Sequence, residues 1–159
     1  MGTVAITPAT LALDSLGISY TLHKYDSVAG SGFGKEAANS MNLDENQVFK
    51  TIIFGDKNIA AVGIAPVSQK ISTKKLAAAV SLRSLEPMDA AIAQRLTGYV
   101  VGGISPFGQK KTLTTVVDAS AHLFENIYVS GGRRGLEICI SPADLIRVLG
   151  AITAEIQSE

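Results

Sequence analysis

The sequence predicts an α+β (mixed α/β) fold: a single domain with a curved, barrel-like mixed β-sheet flanked by short helices. Three observations lead there. Short runs with strand-like alternation outnumber the long helical segments; the helical segments fall between hairpins; and no repeat, low-complexity tract or second-domain boundary interrupts residues 1–159. With 47% hydrophobic and 18% charged residues, the chain has the apolar material for one buried core.

Thr7 and Pro8 have the pattern of an N-cap and first helical residue; Ala9, Ala12, Leu13 and Leu16 then share a face, and Gly17 is a natural stop. From Ile18 to Tyr25 the chain alternates, which predicts a strand with Ile18, Tyr20 and Leu22 on one side and His23 and Tyr25 on the other. A Gly/Ser-rich loop bearing Phe33 leads into a short helix from Gly34 towards Met41. Asp44 and Gln47 have capping-box spacing for a brief turn before VFKTIIF. That run reads as a strand with Val48, Lys50, Ile52 and Phe54 on one face, so a lysine stands among three residues that favour burial. Burying an ammonium without a partner is costly or lowers its pKa; Lys50 therefore either snorkels out near the strand's start or faces a polar cavity.

Gly55-Asp56-Lys57 predicts a hairpin turn into a second apolar strand over 58–65. Ser72 can cap a helix with Leu76, Ala79 and Val80 inward, and residues 90–96 form a further helix ending at Gly98. Strands follow at 113–117 and 126–130, and Gly131 to Gly135 reverses the chain into a strand over 136–140. There Leu136, Ile138 and Ile140 face the core and Cys139 the other side, as a structural thiol. Ser141 and Pro142 open a last helix through Leu149, and residues 152–156 add an edge strand.

Fourteen basic and fourteen acidic residues cancel, so no broad field would hold a long nucleic acid, and DNA is not an expected partner. The longest near-continuous apolar run, Ile59 to Val67, is too short to span a bilayer, and no basic-then-apolar leader opens the sequence. A soluble, cytoplasmic protein without membrane contact is the expectation, and a single cysteine agrees with it. Two histidines and one cysteine give no zinc-ligand spacing, so neither metal nor cofactor is expected. The sequence holds no GxSxG, P-loop, dinucleotide fingerprint or HExxH, and the spacing of His23, His122 and Cys139 shows no thiol–imidazole pair.

Thr97 to Lys111, TGYVVGGISPFGQKK, is both glycine-rich and apolar, which marks a shaped loop: a tight barrel corner, or a pocket wall that presents main-chain N–H groups. A second glycine turn, SGGRRG at 130–135, and Lys50 would supply such a pocket with further donors and a cation for charge developing on a carbonyl oxygen.

Four segments in order, LHKYD at 22–26, NQVFKT at 46–51, TGYVVGGISPFGQKK at 97–111 and IYVSGGRRGLEI at 127–138, resemble the YbaK type of aminoacyl-tRNA editing protein. These are free-standing relatives of the editing insertion in bacterial prolyl-tRNA synthetases. The resemblance implies a single domain on a strongly curved mixed sheet, and hydrolytic removal of a wrongly attached amino acid from the tRNA 3′ end. The implied substrate is Cys-tRNA(Pro), with Cys-tRNA(Cys) as a further target. By motif it implies Lys50 as the central catalytic residue and Tyr25, Phe33, Thr51, Gly102, Gly103, Ser130 and Gly131 as substrate contacts. The run VAGSG at 28–32 departs from the more polar run of the family. The implied partners are the acceptor end of aminoacyl-tRNA and prolyl-tRNA synthetase. With neither nucleophile nor metal in the protein, the expected mechanism is substrate assistance, in which the cysteinyl thiol, a ribose hydroxyl or water attacks or activates at the ester. The alternatives are the same fold acting on Ala-tRNA(Pro) or another small aminoacyl ester, and a non-catalytic module that binds tRNA ends or a small ligand.

Overall fold

The computed structural model describes residues 5–25 and 33–159, with the side chains of residues 33, 34 and 36 outside the description. The expected Gly/Ser loop and the Phe33 side chain thus lie outside the described residues. Along the chain run α1 (Pro8–Ser15), β1 (Thr21–Lys24), α2 (Phe33–Ser40), β2 (Phe49–Gly55), β3 (Ala60–Pro66), α3 (Thr73–Ala79) and α4 (Ala90–Thr97). Then follow β4 (Thr114–Asp118), a 3-10 turn (Ala119–Leu123), β5 (Ile127–Ser130), β6 (Leu136–Ile140), α5 (Pro142–Leu149) and β7 (Ile152–Ala154).

The strands form two sheets. One, ordered β1-β6-β5, is antiparallel throughout; the other, ordered β2-β3-β4-β7, is antiparallel at β2-β3 and parallel at its two remaining pairings. The mixed α+β character is as expected, but the barrel-like sheet is not closed. Among the described residues the two sheets meet at one isolated parallel bridge, Val48 to Tyr128, where β5, otherwise paired with β6, touches the start of β2.

Local signals set most element ends. Thr7 Oγ1 accepts from Thr10 N–H at 3.2 Å while Thr10 Oγ1 accepts from Thr7 N–H at 2.9 Å, a reciprocal cap with Pro8 just inside the helix. The same Thr7 hydroxyl donates to the Gly131 carbonyl at 2.6 Å, which ties α1 to the β5–β6 turn. Asp56 Oδ1 accepts from Asn58 and Ile59 N–H, closing the β2–β3 hairpin in the predicted place. Three elements differ in detail. β1 begins only at Thr21, although Ile18 and Tyr20 still pack on the core. The Gln47 side-chain amide donates across to the Asn126 carbonyl at 2.8 Å, while its backbone N–H closes the turn on the Asp44 carbonyl at 2.9 Å. In α3 Ala77 is buried beside Leu76, while Ala79 and Val80 are half-buried against the same cluster.

Phe49 and Ile53 of β2 with Val62 and Ile64 of β3 belong to the same buried cluster as Ile127, Val129, Ile138 and Ile140 of the other sheet. The opposite face of β2–β3–β4 is buried too, with Phe54, Ala61, Ala65 and Val116 grouped with Leu76 and Ala77 of α3. Covering on both faces explains why β2 and β3 read as nearly continuous apolar runs. A third cluster joins Ala37 and Ala38 of α2 to Val48 and Val67, with Tyr25 and Tyr128 packed against it. Among the described residues no helix is long and apolar enough to cross a membrane.

Candidate active site

β2 is the edge strand of its sheet, and among the described residues its outer edge is paired only at its ends. At the start, Tyr128 N–H donates to the Gln47 carbonyl at 3.1 Å beside the Val48 bridge. At the other end, Phe54 bridges Pro87, Met88 N–H donates to the Ile53 carbonyl at 3.0 Å, and Gly55 N–H donates to the Glu86 carbonyl at 2.8 Å. These outward bonds use odd-numbered residues. Ladder alternation therefore turns the N–H and C=O of Thr51 outward as well, into the gap between the two bridges.

A pocket of about 530 Å³ lies along this gap. Tyr25, Lys50, Thr51, Gly102 and Ser130 all line it, so the structure brings together five of the residues singled out by sequence. Gly103 and Gly131 stand one residue behind the lining. Lys50 faces this cavity, half-buried, and its Nζ donates to the Gln69 carbonyl. Burial, and then the charges of Lys35 and Lys70, hold its pKa below the ordinary lysine value. Among the described residues the lining contains no histidine and no cysteine.

Sequence reasoning missed Glu137. The alternation of Leu136, Ile138 and Ile140 puts both Cys139 and Glu137 on the second face of β6, and alternation alone does not show that this face is buried. β6 is the central strand of its sheet, with Ser130 opposite Glu137 on one side and His23 on the other. Glu137 is 5% exposed, lines the pocket, and leaves its Oε2 without a hydrogen-bond partner within the described protein. Burial pushes its carboxyl up to about 8, so at neutral pH it holds a proton. Thr51 Oγ1 is likewise buried without a partner. Such atoms are rare in folded proteins, and two in one pocket mark where polar atoms of a ligand fit.

Of the two roles that composition left open for the glycine loops, packing of one backbone against another is visible in the structure. Gly103 packs directly on the other loop: a Cβ there would lie 2.7 Å from Arg133 Cα. Its N–H donates to the Val100 carbonyl at 2.9 Å, and Gly131 N–H donates to the Leu136 carbonyl at 2.8 Å. Val101 N–H is taken by Gln94 Oε1 at 3.0 Å and Gly132 N–H by Ser130 Oγ at 3.2 Å. These main-chain donors are engaged in holding the loops' own shape. Gly102, at φ 96°, is the glycine that reaches the pocket. The buried Tyr99 donates its hydroxyl to the Phe107 carbonyl and pins the loop from beneath.

Residues 33–148 match the family model of the aminoacyl-tRNA editing domain. EbsC of Enterococcus faecalis, a protein whose name carries a proposed Cys-tRNA(Pro)/Cys-tRNA(Cys) deacylase activity, is 31% identical over 126 residues, which are 79% of this chain and 77% of that one. Among solved structures, one described as a proposed trans-editing enzyme for prolyl-tRNA synthetase superposes with a TM-score of 0.85 at 19% identity, covering 98% of this chain and 100% of the other. The hypothetical protein APE2540 gives 0.85 at 22% identity, covering 96% and 100%. The two structures establish likeness of fold, and the match over residues 33–148 establishes kinship: the chain belongs to the aminoacyl-tRNA editing domain family.

Proposed function

We propose that this protein is a trans-editing deacylase that removes cysteine from Cys-tRNA(Pro), with Cys-tRNA(Cys) as a further target, and that it uses no cofactor. The observation that carries the reading is one pocket combining Lys50 with two buried, partnerless polar atoms, Thr51 Oγ1 and Glu137 Oε2. The name of EbsC supports the choice of cysteine. At about 530 Å³ the pocket is of ordinary small-molecule size and larger than a cysteinyl group needs, which leaves room for part of the terminal nucleoside.

In this reading the Lys50 ammonium meets the phosphate or ester end of the terminal nucleotide. The outward N–H of Thr51 and the main chain at Gly102 face the ester carbonyl. The neutral carboxyl of Glu137, with Ser130 opposite, receives the α-amino group, and Tyr25 lines the wall. The attacking group belongs to the substrate. The cysteinyl sulfur forms a bond to the ester carbon as the carbon–oxygen bond to the ribose breaks, the thiol proton goes to the ribose oxygen, and water then opens the cyclic thioester. The protein contributes position and stabilisation of the carbonyl oxygen as it gains charge.

Replacing Lys50 tests this directly. Lys50→Ala is expected to lose roughly 10²–10³-fold in kcat/KM on Cys-tRNA(Pro), the scale set by removing one charge-stabilising donor. Its melting temperature should stay within about 3 °C of wild type. Full activity in the variant would overturn the role of Lys50. Because the net charge is zero, we further propose that prolyl-tRNA synthetase is the partner that delivers substrate. Adding the synthetase should raise the rate at dilute enzyme; equal rates with and without it would count against the partnership.

A further inference from the structure

Two lysines, Lys35 and Lys50, line the pocket, and a third, Lys70, lies close enough to Lys50 to act on its charge. Lys35 projects from α2 into the same lining as Lys50. Lys70 follows Gln69, the residue whose carbonyl holds the Lys50 ammonium. Both Lys35 and Lys70 are exposed, and both act on Lys50 as like charges. Among the described residues the ion pairs join Lys75 to Glu159 and Arg147 to Asp144, and neither involves Lys35, Lys50 or Lys70. In a chain with no net charge, three ammonium groups that make no ion pair among the described residues form a local positive field beside one cavity. Their mutual repulsion is relieved when an anion arrives, and three separate cations fit a chain of anions better than a single one.

We propose that Lys35 and Lys70, together with Lys50, form a phosphodiester-binding site that takes the single-stranded 3′ end of the RNA whose esterified terminus enters the pocket. The proposal rests on the aminoacyl-tRNA reading above for the identity of the polyanion. It adds the path by which the nucleotides next to the terminus leave the cavity, along α2 on one side and the segment after β3 on the other. Lys35 and Lys70 bind backbone and touch no reacting atom.

The test compares wild type with Lys35→Gln/Lys70→Gln, using Lys57→Gln in the β2–β3 turn as a control for simple loss of a surface charge. The first probe is a fluorescent, unacylated single-stranded RNA oligonucleotide ending in CCA, followed by anisotropy across a salt series. Each phosphate contact on a single strand contributes about 0.7 to the slope of log Kd against log salt, so the double variant should be shallower by roughly 1.4 and bind at least ~10-fold more weakly at low salt. Lys57→Gln should keep the wild-type slope. With Cys-tRNA(Pro) as the second probe, the loss should fall mainly on KM. An unchanged slope in the double variant, or a wild type that does not bind the oligonucleotide at low salt, overturns the proposal. Failure of the deacylase reading looks different: wild type would bind the oligonucleotide with a lysine-dependent slope and yet release no amino acid from any charged tRNA.

Discussion

The open edge of β2 and the two glycine loops border the same pocket, yet they hold their backbone groups in opposite states. On β2, Thr51 turns its N–H and C=O into the gap, and its hydroxyl is buried without a partner. On the loops, the N–H groups of Val101, Gly103, Gly131 and Gly132 are all engaged, and the glycines serve to bring one backbone against another. The difference teaches that glycine richness beside a pocket is first a packing device. Capacity to bind lies where the ladder is interrupted, because interruption leaves donors and acceptors that no described residue satisfies.

Substitutions on the two sides should therefore fail in opposite ways. The largest effect is the proposed 10²–10³-fold loss of activity in Lys50→Ala, with the fold kept. Gly103→Ala is expected to do the reverse. Its new methyl group meets Arg133 backbone that no side-chain rotation relieves, so stability should fall by about 1–3 kcal/mol. That corresponds to a loss of roughly 3–10 °C in Tm, with activity falling as the fold loosens. Thermal melts beside kcat/KM for both variants would separate them; a Gly103→Ala protein with unchanged melting and lost activity would make the loop itself a binding element.

Glu137 gives a smaller, pH-dependent effect. Its folded pKa of about 8 stands above the ordinary value of 4.5, so between these limits the native protein holds a proton that the unfolded chain has released. The folded state thus loses stability as pH rises through that window and levels off above it. Glu137→Gln keeps the neutral shape and removes the proton. Its melting temperature should match wild type near pH 4 and exceed it by several degrees at pH 8. Melts that run parallel at all pH values would mean that Glu137 is ionised in the fold.

Much of this architecture was legible because its signals are local. The Thr7-Pro8 cap, the Asp56 hairpin turn, and the Ser141 cap with Gly150 at the other end of α5 all sit where short-range chemistry put them. Lys50 was legible as an anomaly, a charge on an apolar strand. The division into two sheets was not, since it turns on where β5 leaves β2, a contact between segments far apart in sequence. Glu137 was hidden for a related reason. Its alternation placed it on the second face of β6, but that this face is buried depends on β1, β5 and the pocket around it. The engaged glycine N–H groups were equally invisible, because composition counts donors and only geometry shows which are taken.

The most direct test of the central claim is a deacylation panel on purified wild-type protein, with Cys-tRNA(Pro), Cys-tRNA(Cys), Ala-tRNA(Pro) and Pro-tRNA(Pro) as substrates and Lys50→Ala alongside. A pocket that depends on the substrate's own thiol should release cysteine from tRNA(Pro) at least ~10-fold faster than alanine, leave proline attached, and lose this activity with Lys50. Equal release of alanine and cysteine, or a wild type that deacylates none of the four, would contradict the account.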